Sequence, residues 1–147
     1  HHRDNTIPKW FLEVLGVWVS ALNSCTYCVE HHFAGMKRLL RDDARADAIR
    51  TAIEAGQVAE TPLDAAQQAA MVYARKLTVA PANMKEADVT DLHNAGWSDG
   101  EILEINQVVG YFAYANRTVL GLGCSTKGDV IGLSPGNSDD PEDWGHH

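Results

Sequence analysis

Positive charge is scarce in this 147-residue chain, which has 12 lysines and arginines against 20 aspartates and glutamates and a net charge of −8 at pH 7. Nucleic-acid phosphates select a basic surface, so the charge argues against a nucleic-acid partner. No lysine or arginine follows Lys127, and residues 1–128 carry 12 basic and 15 acidic side chains, a net charge of only −3. We therefore expect a nearly balanced domain over residues 8–124, followed by an acidic, loosely ordered tail at residues 125–147.

Long apolar runs are also lacking. The longest lies between Trp10 and Leu22, and it is shorter than the roughly 20 residues that a membrane-spanning helix needs. No secretory signal peptide is recognised. These features predict a cytoplasmic protein that does not associate with membranes.

Cysteine is rare, with only Cys25, Cys28 and Cys124. An odd and low count does not fit the disulfide framework of a small secreted domain. In a reducing compartment, the close pair Cys25 and Cys28 indicates redox chemistry or metal binding instead. We expect Cys124 to be a small buried residue at the end of a helix.

Helical patterns account for most of the chain, and no strand hairpin is evident, so the predicted fold class is all-α. The segment between Trp10 and Leu22 is apolar on nearly all sides, which is typical of a buried helix. A second helix is expected from about Ser24, as its N-cap, to Leu40. Further helices are predicted from Arg41 to Glu54, from an N-cap at Thr61 to about Leu77, from about Asn83 to Gly96, and from a capping box at Ser98 to Gly121 or Gly123.

The segment most informative about chemistry is Cys25-Thr26-Tyr27-Cys28-Val29-Glu30-His31-His32. On a helix, Cys25, Cys28 and His32 share one face, whereas His31 lies about 120° away from Cys25. Cys25 is expected in the first helical turn, where the helix dipole favours a thiolate. A neighbouring imidazole can accept a thiol proton, and two sulfurs three residues apart can close a disulfide.

Glu13 is the one charged residue between Trp10 and Leu22. Burial favours the neutral form of a carboxyl group, and such a group can hold or relay a proton near neutral pH. Three residues roughly share its helical face and lead toward the cysteine pair: Gly16, Ser20 and Asn23. Antiparallel packing of the first two helices would set Glu13 beside His32, although a buried arginine such as Arg117 is an alternative partner.

Other interpretations of these residues are less favoured. Cys25, Cys28, His31 and His32 offer the donor types of a zinc site, but four ligands within eight residues of one helix cannot readily form a tetrahedron. An inert structural cysteine pair is a second alternative. We expect His31 to orient or pack against its neighbours, and His93 to lie on a helix surface.

The pattern Glu13, Cys25-x-x-Cys28 and His32 resembles the alkylhydroperoxidase D group of the carboxymuconolactone decarboxylase family. The phrase over residues 17–32 is similar to its peroxidase-related branch, and segments 97–105 and 111–117 resemble a later helix of that branch. The similarity covers about residues 8–124. Relatives often carry further helices before the position of Glu13, so the chain corresponds to a short member or a shortened piece.

The resemblance implies an all-helical fold, assembly into homo-oligomers, and reduction of hydroperoxides by thiols without a metal or another cofactor. It implies that Cys25 and Cys28 form the redox pair and that Glu13 and His32 form the proton relay, with His31, Ser20 and Tyr27 in supporting positions. The enzyme would be a cysteine-based peroxidase with antioxidant activity that needs an external thiol or dithiol as electron donor.

Two alternatives stay open at this point. The chain could be a decarboxylase-like enzyme that does not use the thiols, or a non-catalytic module whose disulfide state changes its assembly. Cys28 is favoured as the attacking sulfur because His32 follows it by one helical turn. The opposite order is nearly as well supported, because Cys25 has the better position relative to the helix dipole.

Overall fold

The computed structural model describes residues 7–123, and in this part of the chain the secondary structure is entirely helical, as the sequence predicts. The α-helices are α1 (Lys9–Leu22), α2 (Thr26–Leu40), α3 (Asp43–Glu54), α4 (Ala65–Val79), α5 (Glu86–Asn94) and α6 (Asp99–Leu122). Two short 3₁₀ helices, Val58–Glu60 and Pro81–Asn83, precede α4 and α5. The expected acidic tail and Cys124 lie outside the described residues.

Helix α1 lies at the centre of the fold. Every residue from Phe11 to Ser20 is buried except Glu13, which is partly buried. Helices α2, α3, α4 and α6 all pack against α1, which explains why its sequence is apolar on nearly all sides. The indole nitrogen of Trp18 donates a hydrogen bond to the carbonyl of Met71, at 2.8 Å, and so ties α1 to α4.

Helices α1 and α2 run antiparallel and are joined by a tight turn. Gly16 and Glu13, one turn apart on α1, face His32 and Gly35 in reverse order on α2. In the turn, Ser24 adopts a left-handed conformation with φ of 56°. The N–H of Cys25 donates back to the carbonyl of Ser20, at 2.9 Å, which brings the start of α2 beside the end of α1.

The helix starts differ from the sequence prediction at four places. Helix α3 begins at Asp43 and not at Arg41, which adopts a left-handed conformation, and α5 begins at Glu86, three residues after Asn83. Cys25, and not Ser24, is the N-cap of α2, because Ser24 is used in the left-handed turn. Asp64, and not Thr61, is the N-cap of α4, where its side chain forms a capping box with Gln67. The capping box predicted at Ser98 is confirmed, since its hydroxyl accepts from the N–H of Glu101 at 3.2 Å.

Candidate functional site

A disulfide between Cys25 and Cys28 lies at the start of α2. The Cα atoms are 5.3 Å apart, a normal separation for a disulfide. Cys25 is fully buried and Cys28 is 4 % exposed. Cys25 precedes the helix and Cys28 lies in its first turn, so the expectation that Cys25 occupies the first turn is wrong. Both cysteines lie at the N-terminal end of α2, where the helix dipole favours a thiolate, so the dipole does not distinguish between them.

His32 lies on α2 one turn after Cys28 and contacts Glu13 on α1. Its Nδ1 is 3.1 Å from Oε1 and 3.2 Å from Oε2 of the carboxylate. The side chains of His32 and Glu13 are only 16 % and 12 % exposed. The expected pairing across the antiparallel helices is thus present. Arg117, the alternative partner, is exposed and donates instead to the carbonyl of Ala113, one turn away on α6.

Two glycines make room for this pair. A Cβ atom on Gly35 would lie 2.8 Å from Oε1 of Glu13. A Cβ atom on Gly16 would lie 3.2 Å from Cγ of His32 and 2.9 Å from the ring of Phe112. Such separations are shorter than normal van der Waals contacts, so any larger residue at either position would displace its neighbour.

Phe112 of α6 packs against the imidazole of His32. The rings of His32 and Phe112 are 4.7 Å apart between centroids and meet edge to face, a favourable geometry for aromatic pairs. Phe112 is fully buried. The sequence pattern marks Phe112 as a core residue of a helix, but nothing in it indicates that the ring lies against His32.

Of the three residues expected in supporting positions, Tyr27 and His31 lie together on α2 and Ser20 lies on α1. Tyr27 and His31 stack with ring centroids 5.9 Å apart, and His31 meets His32 edge to face at 5.8 Å. This agrees with the expectation that His31 packs against its neighbours. Ser20 is fully buried on α1, and its hydroxyl accepts a hydrogen bond from Nδ2 of Asn116, at 2.9 Å.

Tyr111 is a further ionisable group near the pair that the sequence does not single out. The phenol is half-buried, and burial raises the pKa of Tyr111 above its ordinary value. Electrostatic interactions with Tyr114 and with Glu13 act in the same direction, because each disfavours a second negative charge nearby. Tyr111 therefore lies close enough to Glu13 for the carboxylate charge to affect the pKa of the phenol.

Within residues 7–123, no group of three or more His, Cys, Asp and Glu side chains is arranged to hold a metal ion. The sulfurs of Cys25 and Cys28 are bonded to each other, and His32 is paired with Glu13. His93 lies on the surface of α5, as predicted, and contacts Asp99 at 2.8 Å. None of the helices described is long and apolar enough to cross a membrane.

Comparison with solved structures relates the chain to peroxidase-related proteins. An uncharacterized peroxidase-related protein from Silicibacter sp. TM1040 superposes with a TM-score of 0.73 at 30 % identity, over 83 % of this chain and 61 % of that one. An uncharacterized peroxidase-related protein from Ralstonia eutropha JMP134, described as an alkylhydroperoxidase AhpD core, gives a TM-score of 0.71 at 25 % identity, over 81 % of this chain and 60 % of that one. The chain has an AhpD-like fold.

This AhpD-like chain spans about three fifths of the length of the two solved structures. No protein-family model matches it, and a search of curated proteins finds no match. The resemblance at the level of the AhpD-like fold is therefore confirmed, whereas the carboxymuconolactone decarboxylase branch and assembly into homo-oligomers stay predictions.

Proposed function

We propose that this AhpD-like protein is a thiol-dependent peroxidase that reduces hydroperoxides through a dithiol–disulfide cycle of Cys25 and Cys28. The observation that carries the proposal is the juxtaposition of three features in one place. A disulfide-forming pair begins α2, an imidazole follows one turn later, and a largely buried carboxylate binds that imidazole. The two peroxidase-related structures with the same fold add support.

In the first step, the Cys28 thiolate attacks the distal oxygen of the hydroperoxide. An S–O bond forms and the O–O bond breaks, so the sulfur is oxidised by two electrons to a sulfenic acid while the peroxide is reduced. The departing alkoxide takes a proton and leaves as an alcohol. His32 supplies that proton, having received it from the thiol of Cys28 when the thiolate formed.

In the second step, the thiol of Cys25 attacks the sulfur of the sulfenic acid. The S–S bond forms, the S–O bond breaks, and hydroxide leaves as water after taking up the thiol proton. An external dithiol then reduces the disulfide by two thiol–disulfide exchanges and is itself oxidised to a disulfide. The cycle needs no metal or other cofactor.

Glu13 acts on His32 in this proposal. When Nδ1 of the imidazole carries its hydrogen and donates it to the carboxylate, Nε2 is left without a hydrogen and can accept the thiol proton. The carboxylate also stabilises the imidazolium that then forms. Because both side chains are largely shielded from water, their electrostatic interaction is stronger than it would be at an exposed site.

The order of the cysteines follows from the structure of the turn. Cys28 is inside the first turn of α2. It is also the more exposed of the two cysteines, at 4 % against 0 % for Cys25. His32, one turn further along, favours a thiolate at Cys28, and the helix dipole acts on both sulfurs. Cys25, outside the helix and fully buried, is assigned the resolving role.

The test is the consumption of an alkyl hydroperoxide by the full chain in the presence of a dithiol reductant. Cys28→Ser removes turnover, and His32→Ala lowers it about 100-fold, the size of a general-base contribution. When the dithiol is left out, Cys25→Ser consumes one equivalent of peroxide and then stops, with a sulfenic acid trapped on Cys28 and detected by mass spectrometry. Cys124→Ser and His93→Ala are the matched controls and keep the activity of the unmodified chain.

Three results would overturn the proposal. Full peroxide turnover in Cys28→Ser would show that Cys28 does not react with the peroxide. Negligible turnover of the unmodified chain, with a change of oligomer size on oxidation, would favour the redox-sensing alternative. Equal losses in Cys124→Ser and Cys28→Ser would mean that the activity does not reside in the pair.

A further inference from the structure

Asn116 of α6 is a polar residue that is fully buried. The two residues to which its side chain bonds are more than 90 positions away in the sequence. Its Nδ2 donates to the hydroxyl of Ser20, at 2.9 Å, and its Oδ1 accepts from Nδ2 of Asn23, at 3.0 Å. Both partners belong to the end of α1 and the turn that leads to Cys25. The amide of Asn116 thus uses its donor and acceptor to hold the end of α1, where the turn begins, against α6.

The turn in question sets the position of Cys25. Ser20, which binds Asn116 through its hydroxyl, also accepts the N–H of Cys25 with its carbonyl, at 2.9 Å. Ser24, between Asn23 and Cys25, adopts the left-handed conformation that costs energy for a residue other than glycine. Such a conformation persists only where the surrounding contacts enforce it. Asn116 provides part of that constraint, because it holds Ser20 and Asn23, the residues from which the chain enters the turn.

We propose that Asn116 is a positioning residue for the Cys25–Cys28 pair, and that it raises the effective concentration of one thiol at the other. The geometric basis is that Cys25 is the N-cap of α2 and has non-helical dihedral angles. Its carbonyl accepts from the N–H of Val29 in the helix, at 2.9 Å, while its own N–H is held by the carbonyl of Ser20 in α1, at 2.9 Å. The place of Cys25 in the reduced protein depends on the turn. A turn fixed by Asn116 keeps the two thiols close, which lowers the entropy cost of closing the disulfide.

Two consequences follow from a fixed turn. The disulfide is favoured over the dithiol, so the reduction potential of the pair is more negative than in a protein with a loose turn. In the proposed peroxidase cycle, Cys25 also reaches the sulfenic acid quickly, before a second peroxide can oxidise it further. The second consequence rests on the proposed function, whereas the first does not.

The test is the reduction potential of the full chain, measured by equilibrium with a series of dithiothreitol redox buffers. Asn116→Ala is expected to lower the effective concentration about tenfold, which corresponds to a potential about 30 mV less negative. Asn106→Ala is the matched control: Asn106 is also on α6 and bonds across to the hydroxyl of Tyr73, at 2.9 Å, but it does not contact the cysteine turn. It is expected to leave the potential unchanged.

A purely structural role for Asn116 would reduce the thermal stability of Asn116→Ala without moving the potential, and that result would overturn the proposal. If the alanine variant of the fully buried Asn116 does not fold, Ser20→Ala and Asn23→Ala decide. Each removes one of the two bonds and is expected to shift the potential in the same direction by a smaller amount. An unchanged potential in both would also overturn the proposal. The reduction potential can be measured even in a chain that does not reduce peroxides. Failure of the proposed peroxidase function is therefore distinguishable from failure of the proposed role of Asn116.

Discussion

Nδ1 of His32 lies 3.1 Å and 3.2 Å from the two carboxylate oxygens of Glu13, although the residues are 19 positions apart and on different helices. The two oxygens are nearly equidistant from the ring nitrogen, so the carboxylate faces the imidazole with both. This relationship orients the ring and leaves its other nitrogen available for proton transfer.

Replacement of Glu13 by glutamine is expected to lower peroxide turnover about tenfold to 100-fold. Glutamine has nearly the same shape, but its neutral amide cannot stabilise an imidazolium as a carboxylate does. The measurement is the steady-state rate with an alkyl hydroperoxide and a dithiol donor. Glu13→Gln turnover equal to that of the unmodified chain would exclude the carboxylate from the relay.

Replacement of Gly35 by alanine is expected to lower turnover by more than tenfold with little loss of stability. The added Cβ would lie 2.8 Å from Oε1 of Glu13, and the flexible carboxylate can move away cheaply, but it then leaves His32. Displacement of a catalytic group by about 1 Å can reduce a rate up to 100-fold.

The control for Gly35→Ala is Gly110→Ala on α6, where an added Cβ meets nothing within 4 Å. An alanine inside a helix is expected to stabilise the protein by about 0.5–1 kcal/mol relative to glycine, and the peroxide turnover is expected to be unchanged. Rates and thermal unfolding are measured for both variants. Equal rates for Gly35→Ala and Gly110→Ala would contradict the proposed sensitivity of the pair to its spacing.

The pKa of Tyr111 is expected to fall toward its ordinary value when Glu13 is replaced by glutamine. The pKa is raised mainly by burial and further by Tyr114 and Glu13, so removal of the carboxylate charge takes away only part of the increase. The measurement is the alkaline titration of tyrosines labelled with ¹³C at Cζ, with Tyr111→Phe to assign the signal. Because the folded pKa is raised, the neutral phenol contributes stability that is present below the unfolded pKa and lost as the pH rises through the folded pKa.

Stability in acid is expected to depend on Glu30, which pairs with Arg50 of α3. The hydrogen bond from Arg50 is the main reason why the pKa of Glu30 lies below its ordinary value. The resulting stability is present above the unfolded pKa of about 4.3 and is lost as the pH falls through the lower folded pKa. Since the pair is partly exposed, we expect about 1 kcal/mol or less at pH 7.

The check on this pair is urea unfolding of Glu30→Gln and of the unmodified chain at pH 7 and at pH 3. The difference in the free energy of unfolding is expected at pH 7 and should shrink at pH 3, which lies below the unfolded pKa of about 4.3. Glu60→Gln, at an exposed position, is the control and is expected to change stability little at either pH. A difference that is the same at both pH values would mean that Glu30 acts by packing alone.

Contacts between distant segments were only partly predictable from sequence. The pairing of Glu13 with His32 was expected from one polar position in an apolar helix and an antiparallel turn. The spaces left by Gly35 and Gly16, the ring of Phe112 and the bonds of Asn116 were not, since each depends on the distance between two helices and not on a pattern within one. The N-cap of α2 was placed one residue early, because the bond from Cys25 to the carbonyl of Ser20 is invisible to local propensity.

What the sequence determined by itself is the set of relationships within single helices. Helical periodicity alone puts Cys28 and His32 one turn apart on α2, makes α1 a buried helix with one acidic residue, and marks the capping box that begins α6. Only the tertiary structure decided how far each helix is rotated and shifted along its neighbour. That choice brings Glu13 to His32 and Asn116 to the cysteine turn. It is made by the packing of the whole core, to which residues from all six α-helices contribute at once.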